Sequence, residues 1–365
     1  MKINAAVTRE IKTPYIIEEV ELAPPKAGEV LVKIAASGMC HTDEMILNGE
    51  MRSPFLPIVL GHEGSGIVTE VGPGVRGFKA GDRVCLSISY CGECPSCLSA
   101  RPYACEESGR LNFGGRAYDN TTRLSKDGVE LASFFGQSSF ATYSVVHENN
   151  LVLVPDGIDL ALTAPLGCGI QTGAGTVLNF LKPAPGSSIV VSGCGAVGMS
   201  ALMAAKICGC STIIAVDVVD SRLQTALELG ATHVVNAREV NTVEAVMEIT
   251  KGRGVSHAAD CSGRSETTRA TLNCTGYFGV CAVVGAGQEL TINVGGELSG
   301  RHRILAGITE GHSRPKQFIP QLMDFIMEGR FPLDKIVKYY DFEDINTARE
   351  DSRTGGTLKP ILLMK

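Results

Sequence analysis

The spacing of hydrophobic and polar residues along this chain changes near residue 170. Before that point, apolar and β-branched residues form short runs at 30–35, 66–71 and 139–146, separated by glycine and proline clusters. Runs of this kind between turn residues are typical of strands. The first 150 residues therefore predict a compact β-rich domain.

Beyond residue 170, apolar strands alternate with amphipathic helices. The pattern predicts strands at 188–191, 212–216, 234–235, 257–260, 279–284 and 304–308, with helices at 199–207 and 221–229. Such alternation indicates a parallel sheet that is covered on both faces. The remainder of the chain adds a predicted helix at 318–327 and a predicted strand at 360–364.

Composition and charge narrow the class of protein. The 365 residues suffice for two domains, and a net charge of −6 without a basic run argues against nucleic acid or an anionic membrane as partner. No apolar run approaches the roughly 20 residues of a membrane span, and residues 1–10 lack the apolar core of a secretory signal. Thirteen cysteines in such a chain suit a reducing compartment, so we expect a cytoplasmic protein.

Four cysteines lie close together in the irregular segment 90–107. Their spacing is C-x2-C-x2-C-x7-C, and they are Cys91, Cys94, Cys97 and Cys105. Four such thiols can bind one Zn²⁺ tetrahedrally at about 2.3 Å, whereas the alternative of two disulfides is disfavoured in a reducing compartment. Because four protein ligands leave no position for a substrate, we predict a structural zinc here and chemistry elsewhere.

A glycine-rich turn follows the predicted strand 188–191 and opens the next helix. Gly193, Gly195 and Gly198 give G-x-G-x-x-G, and Asp217 lies 19 residues after Gly198. This context predicts a dinucleotide site in which the helix N-terminus meets the pyrophosphate and the carboxylate binds ribose hydroxyls. The acidic residue favours NAD over NADP, although Arg222 could soften that preference. The alternative is a glycine turn that only packs a helix on the sheet.

Three further segments carry polar residues that specify nothing when each is taken alone. They are Gly-His-Glu-Gly at 61–64, Cys-His-Thr-Asp at 40–43 and Gly-Cys-Gly at 167–169. A lone cysteine, for example, is more often a small core residue. Together with the four-cysteine segment and the glycine fingerprint, in this order over nearly the whole length, they make the chain resemble the zinc-dependent medium-chain alcohol dehydrogenases. Within that family it most resembles the aryl-alcohol (benzyl alcohol) dehydrogenases.

The resemblance implies an α/β fold with two domains. A β-rich GroES-like catalytic domain would comprise residues 1–170 and 308–365, with the structural zinc lobe at 90–107, and a Rossmann domain with a doubly wound parallel sheet would bind NAD through residues 171–307. Two zinc ions per subunit are implied. The segment 290–307 matches the strand that pairs subunits in the family, which implies a homodimer or a homotetramer.

The resemblance also assigns a catalytic zinc to Cys40, His62 and Cys168. Two thiolates, one imidazole and one open position form a recognised catalytic set. Glu63 would lie behind the metal and bind it transiently, and Asp43 would orient His62. The alternative is that the three ligands are unrelated core residues.

In the implied reaction, Thr42 accepts the proton of the alcohol and passes it on through the nicotinamide ribose. The alternative for Thr42 is a hydroxyl bonded to local backbone. Many relatives carry a relay histidine three residues further on, where this chain has Met45, which cannot carry a proton. The last proton transfer would then use water, a neighbour such as Glu44, or another exit.

Other cofactor contacts follow from family positions. His41 and Lys359 match positions that touch the pyrophosphate, and for each a solvated surface group is the alternative. Thr172 matches a position beside the nicotinamide ring. Val197 packs under that ring in relatives, and is otherwise the apolar residue at the start of the helix.

Phe134 and Phe135 match positions that line the substrate channel in relatives. Two phenyl rings there would form a wide apolar slot, whereas core packing is the alternative. We therefore expect NAD-dependent oxidation of a medium-sized primary alcohol, aromatic (benzyl-type) or allylic, reversibly to the aldehyde. Oxidation of S-(hydroxymethyl)glutathione, the formaldehyde dehydrogenase reaction, and general short-chain alcohol dehydrogenase activity remain alternatives. A non-catalytic nucleotide-binding protein is a further one, against which the intact zinc ligands argue.

Overall fold

The computed structural model describes residues 1–51, 55–285 and 289–365. Within these ranges the chain forms two compact units. The first comprises Met1–Cys168, Arg314–Glu328 and Leu333–Lys365, and the second comprises Gly169–Ser313 and Gly329–Pro332. The first unit is therefore assembled from segments that are far apart in sequence.

Eighteen strands are present in the described residues. In chain order they are β1 (Lys2–Thr8), β2 (Ile16–Leu22), β3 (Glu29–Gly38), β4 (Ile58–Val59), β5 (Gly64–Val71), β6 (Arg83–Leu86), β7 (Leu124–Lys126), β8 (Val129–Leu131), β9 (Tyr143–His147), β10 (Leu151–Leu153), β11 (Ser188–Ser192), β12 (Thr212–Asp217), β13 (His233–Asn236), β14 (Val255–Asp260), β15 (Thr275–Val283), β16 (Ile304–Gly307), β17 (Val337–Asp341) and β18 (Lys359–Leu363).

Eleven α-helices, with short 3-10 and π-helical turns between them, complete the described elements. They are α1 (His41–Leu47), α2 (Pro95–Leu98), α3 (Ser108–Phe113), α4 (Leu160–Thr163), α5 (Gly169–Gly175), α6 (Ala196–Ile207), α7 (Asp220–Leu229), α8 (Thr242–Ile249), α9 (Ser265–Asn273), α10 (Pro315–Met327) and α11 (Ile345–Arg353). Nowhere in the described ranges is a helix long and apolar enough to cross a membrane.

The first unit contains two sheets. One has the order β4-β1-β2-β7-β8, and the other has β10-β6-β5-β3-β18-β17 with β9 also paired to β3. Strand β3 is buried along most of its length because β5, β9 and β18 all pair with it. Its end matters for function, since Ser37 pairs antiparallel with Gly64 and so brings the residues after β3 beside those before β5.

The second unit contains one six-stranded sheet of order β13-β12-β11-β14-β15-β16, and all its strands are parallel. Apolar residues of β11, β12 and β14, among them Val190, Ile214 and Ala258, are fully buried, as expected for strands covered on both faces. The strand order reverses between β11 and β14, where doubly wound folds bind nucleotides at the carboxyl ends of the strands. The predicted α/β class, with a β-rich unit and a parallel-sheet unit, is confirmed.

Some boundaries differ from the pattern-based predictions. Helix α6 begins three residues before the predicted 199, at Ala196, and α10 begins before the predicted 318, at Pro315, where proline suits the first helical turn. The predicted strand 139–146 is regular only from Tyr143. Its first residues instead donate their backbone N–H groups to the carbonyls of Leu60 and Gly61, which ties this segment to the residues before β5.

Candidate active site

Four side chains with metal-binding atoms converge where β3 ends and β5 begins. The ligand atoms of Cys40, His62, Glu63 and Cys168 all lie within 4.8 Å of one another. Cys40 follows β3, and His62 and Glu63 directly precede β5. The antiparallel pairing of these two strands therefore places the three residues side by side. The structure thus brings together the three residues predicted to bind a catalytic zinc.

Asp43 holds two of these ligand segments in place. Its Oδ1 lies 3.0 Å from His62 Nδ1 and accepts the backbone N–H of Gly61 at 3.0 Å. Its Oδ2 accepts the N–H of Cys40 at 3.1 Å. Because the carboxylate engages Nδ1 of the imidazole, Nε2 is left to face the cluster, which is the arrangement that orients metal-binding histidines.

The electrostatics of the cluster favour a bound cation. The pKa of Cys40 is lowered, first by a hydrogen bond from Cys168 and further by the positive charges of His62 and Lys359. Burial alone would lower the pKa of His62, but the negative charges of Asp43 and Cys40 outweigh it and raise that pKa. Buried His62 Nε2 makes no hydrogen bond of ordinary geometry to the described residues. Two thiols and a buried imidazole nitrogen fit the donor set of a catalytic Zn²⁺.

Glu63 forms a buried ion pair with Lys359. The Lys359 ammonium lies 2.6 Å from Glu63 Oε2 and also donates to the Met39 carbonyl at 2.9 Å. Burial raises the pKa of Glu63, and the adjacent ammonium opposes that rise. The pyrophosphate contacts expected of Lys359 and of His41, an exposed residue at the start of α1, stay predictions.

Thr42 lies at the margin of the cluster in the first turn of α1. Its hydroxyl is 3.7 Å from Cys40 Sγ, and the side chain is half-buried. Met45, in the next turn, is also half-buried. A hydroxyl so near the sulfur of a candidate metal ligand could exchange a hydrogen bond with a molecule held at the cluster.

Aromatic rings cover the His62 imidazole. Phe135 stacks on His62 with ring centroids 4.4 Å apart and an interplanar angle of 27°, and Phe134 meets His62 edge-on at 5.4 Å. A third ring, Phe113 at the end of α3, contacts Phe135 at 5.0 Å and Phe134 at 6.0 Å. Phe134 and Phe135 are buried, whereas Phe113 is half-buried and was not among the residues that the sequence singled out.

A polar network fixes the backbone of Phe135 in the left-handed region, at φ 51°. Its N–H donates to the Asn112 carbonyl at 2.9 Å. Its carbonyl accepts from Ser89 Oγ at 3.0 Å and from Asn150 Nδ2 at 3.1 Å. A bulky residue adopts this conformation only where its surroundings impose it. The network therefore determines where the ring lies over His62.

Gln137 holds the backbone on both sides of Glu63. Its Nε2 donates to the His62 carbonyl at 2.8 Å, and its Oε1 accepts from the Gly64 N–H at 3.2 Å. Neither Gln137 nor Asn112 was found from the sequence. Both join segments distant along the chain, and no motif or spacing marks either residue in the sequence.

The four-cysteine segment forms a second cluster of potential metal ligands. Its sulfur atoms lie within 4.8 Å of one another, including a Cys91–Cys105 distance of 3.5 Å and a Cys91–Cys97 distance of 3.9 Å. These thiols are free, so the alternative of two disulfides does not hold. Tetrahedral Zn–S bonds of about 2.3 Å require sulfurs about 3.8 Å apart, and this set fits. The pKa of the Cys94 thiol is lowered to about 7, mainly by a hydrogen bond from the backbone N–H of Glu106.

In the second unit, the glycine fingerprint forms the turn between β11 and α6. Gly193 has φ 88°, and a Cβ on Gly198 would lie 1.8 Å from the Gly193 carbonyl oxygen, so both positions require glycine. The Cys194 N–H donates to Asp217 Oδ2 at 2.6 Å, which ties the turn to the end of β12. Gly195 precedes the helix as its N-cap, and Val197 is half-buried in its first turn.

Asp217 ends β12 with its carboxylate held by backbone amides. Its Oδ1 accepts from the N–H groups of Val218 and Val219 at 2.7 and 3.0 Å. Arg222 in α7 is half-buried, and its Nε makes no hydrogen bond to the described residues. Thr172 lies in α5 and donates to the carboxylate of Glu310 at 3.5 Å. An acid at the carboxyl end of the second strand fits the ribose of a dinucleotide.

Comparison with known proteins identifies both halves of the chain. Residues 26–156 match the alcohol dehydrogenase GroES-like domain, and residues 196–328 match the zinc-binding dehydrogenase domain. The chain is 40% identical to geraniol dehydrogenase of Castellaniella defragrans, over 99% of this chain and 97% of that protein.

Solved structures agree with this. The crystal structure of benzyl alcohol dehydrogenase from Acinetobacter calcoaceticus is 44% identical, with a TM-score of 0.96 and full coverage of both chains. An alcohol dehydrogenase zinc-binding domain protein from Burkholderia ambifaria is 46% identical, with a TM-score of 0.97 over 100% of this chain and 99% of that one. From the candidate metal cluster, the six-stranded parallel sheet and these relatives, the chain belongs to the zinc-dependent medium-chain alcohol dehydrogenase family.

Proposed function

We propose that this alcohol dehydrogenase uses NAD to oxidise a medium-sized primary alcohol, aromatic or allylic, reversibly to its aldehyde. The observation that carries the proposal is the set of aromatic rings packed against the candidate metal cluster, where Phe135 stacks on His62 at 4.4 Å. A flat, π-rich wall favours a substrate with a ring or double bond next to the carbinol carbon. Two relatives are named for geraniol and for benzyl alcohol, which supports this class of substrate.

Cys40, His62 and Cys168 would hold the catalytic zinc. When bound, the metal supplies a Lewis acid that lowers the pKa of an alcohol oxygen. Asp43 keeps the His62 tautomer fixed, and Thr42 accepts the alcohol proton through its hydroxyl. The apolar rings keep water away from this chemistry.

NAD is the proposed cofactor because Asp217 ends β12 as a carboxylate held by three backbone amides. A 2′-phosphate at the ribose would meet this negative charge, which disfavours NADP. Arg222 is the one neighbouring side chain named above that could reduce this discrimination. The second zinc would be held by the four cysteines of the 90–107 lobe as a structural staple.

Strand β16 supports a proposed pairing with a second copy of the chain. It lies at the edge of the six-stranded sheet, and Ile304 in it is 55% exposed. An open edge strand with exposed apolar side chains is an aggregation hazard unless another chain pairs with it. We expect a homodimer, or a homotetramer built from such dimers, and light scattering coupled to size exclusion measures which.

The deciding experiment compares initial rates of NADH formation from benzyl alcohol and from ethanol, at saturating NAD. We expect kcat/KM to be about 100-fold higher for benzyl alcohol, roughly 2.7 kcal/mol of transition-state preference. Comparable rates would contradict an aromatic slot and leave a general alcohol dehydrogenase. Turnover of S-(hydroxymethyl)glutathione alone would overturn the proposal in favour of that adduct.

A further inference from the structure

Glu310 lies at the carboxyl edge of the parallel sheet, three residues after β16 ends at Gly307. The sheet order β13-β12-β11-β14-β15-β16 divides it into two halves, and Asp217 ends a strand of the first half. A dinucleotide bound across such a sheet places its adenosine over the first half and its second nucleoside over the half containing β14 to β16. Glu310 therefore belongs to the nicotinamide half.

The carboxylate of Glu310 is held by two side chains of α5. Oε2 accepts from Gln171 Nε2 at 3.3 Å and from the Thr172 hydroxyl at 3.5 Å. Gln171 is fully buried and is itself anchored, since its Oε1 accepts from Ser313 Oγ at 2.7 Å. Glu310 is half-buried, and these two hydrogen bonds fix its carboxylate beside α5.

The backbone that carries this carboxylate is strained. Glu310, Gly311 and His312 have successive φ values of 50°, 59° and 49°, all in the left-handed region. Gly311 approaches α5 so closely that a Cβ would lie 2.4 Å from the Gln171 carbonyl oxygen. Left-handed non-glycine residues cost about 1–3 kcal/mol and cluster at ligand sites and switches. This turn therefore lowers the stability of the fold while it holds a glutamate at the carboxyl edge of the sheet.

We propose that Glu310 makes the nicotinamide site selective for the charge of the cofactor. Its carboxylate strengthens the binding of NAD⁺ and leaves the affinity for NADH almost unchanged. The inference rests on the proposed NAD dependence and adds a residue that the family resemblance did not assign. The oxidised nicotinamide ring carries a positive charge and the reduced ring is neutral. A nearby carboxylate attracts only the oxidised form, and partial burial limits screening by solvent.

Glu310 is then a group that sets the balance between the two cofactor forms and takes no part in proton or hydride transfer. Because the carboxylate stabilises bound NAD⁺ but not bound NADH, it favours the binding of NAD⁺ before alcohol oxidation. It gives no matching stabilisation to NADH, which must be released afterwards. The site would suit an enzyme that works in the direction of aldehyde formation. Thr172 acts with it by orienting the carboxylate.

The test measures the dissociation constants of both cofactor forms for the zinc-loaded enzyme and for Glu310→Gln, which removes the charge while keeping hydrogen-bonding capacity. NADH is titrated by its fluorescence, and NAD⁺ by competition with NADH. We expect the NAD⁺ constant to rise about tenfold and the NADH constant to change less than twofold. Glu310→Asp, which keeps the charge, should retain most of the NAD⁺ affinity and guards against a simple folding defect.

Glu228→Gln is the matched control, because it removes one exposed carboxylate from α7 of the same unit. It should leave the ratio of the two constants unchanged. Equal weakening of NAD⁺ and NADH by Glu310→Gln, or an unchanged ratio, would overturn the inference while leaving NAD dependence intact. Wild-type enzyme that binds neither form would overturn the proposed cofactor, and this inference with it.

Discussion

Phe135 and His62 lie face to face, with ring centroids 4.4 Å apart and 27° between the ring planes. A proposed metal ligand and a proposed substrate wall therefore share one contact. A side chain that shifts Phe135 changes the shape of the slot and the support of the imidazole together. The half-buried Phe113 ring, 5.0 Å from Phe135, is the position where the slot can be altered with least effect on the ligand.

Replacing Phe113 with leucine removes an edge-to-face contact with both rings while keeping apolar volume. We expect the preference for benzyl alcohol over ethanol, expressed as a ratio of kcat/KM values, to fall about fivefold, since such ring contacts contribute about 0.5–1.5 kcal/mol. Steady-state kinetics on the two alcohols measures this. Phe78→Leu removes a half-buried ring elsewhere in the first unit and should leave the ratio unchanged; a ratio that stays constant in both variants would exclude Phe113 from the slot.

Thr42→Val removes the hydroxyl 3.7 Å from Cys40 Sγ while keeping a similar shape. We expect kcat to fall about 10²- to 10⁴-fold, because positioned proton transfer contributes that much. Zinc content, measured by elemental analysis, should stay the same. Thr42→Ser restores a hydroxyl and should recover most of the activity, and near-normal rates in the valine variant would contradict the assigned role.

Met45→His places an imidazole one turn after Thr42 in α1. With a pKa of about 6.5, histidine can accept a proton near neutral pH and release it to solvent. If proton exit limits turnover, kcat below neutral pH should rise. The pH profile of kcat for the two proteins measures this. An unchanged profile would mean that hydride transfer or cofactor release limits instead.

Cys94→Ser removes one of the four sulfurs of the 90–107 lobe. We expect the zinc content to fall from two ions to one per chain and the melting temperature to fall, because structural zinc contributes folding energy directly. Cys208→Ser is the matched control, since Cys208 is a half-buried free thiol outside both clusters. Two zinc ions in the Cys94→Ser protein would refute the assignment of this lobe.

Lys359→Met leaves the fully buried Glu63 carboxylate without the ammonium 2.6 Å away. Breaking one side of a buried pair costs about 3–5 kcal/mol, so the free energy of unfolding should fall by that order in denaturant titrations. Adding Glu63→Gln should recover part of the loss. A variant with normal stability and weakened cofactor binding would instead favour the pyrophosphate contact suggested by the family position.

The fold and the two candidate metal clusters could be predicted because their signals are local. The spacing of Cys91 to Cys105 and the glycine fingerprint at 193–198 each lie within a few residues, and the alternation of strands with helices identifies the parallel sheet. The family, once recognised from these motifs, was confirmed by the relatives.

The supports of the site could not be found in this way, because each joins distant segments. Asn112 bonds to the segment around Phe135 through backbone atoms, Gln137 reaches the His62 carbonyl 75 residues away, and Glu63 meets an ammonium 296 residues later. No spacing rule connects such residues. Only the folded arrangement brings them to the cluster of Cys40, His62, Glu63 and Cys168.

The long sequence separation between Glu63 and Lys359 has a consequence for biosynthesis. Glu63 is translated 296 residues ahead of Lys359, and β18 must pair with β3 before the two can meet. Throughout elongation, the nascent chain carries an acidic group that is not yet neutralised beside cysteines and a histidine able to capture a metal. We expect the catalytic site to mature late, after the four-cysteine lobe, whose ligands all emerge within 15 consecutive residues of one another.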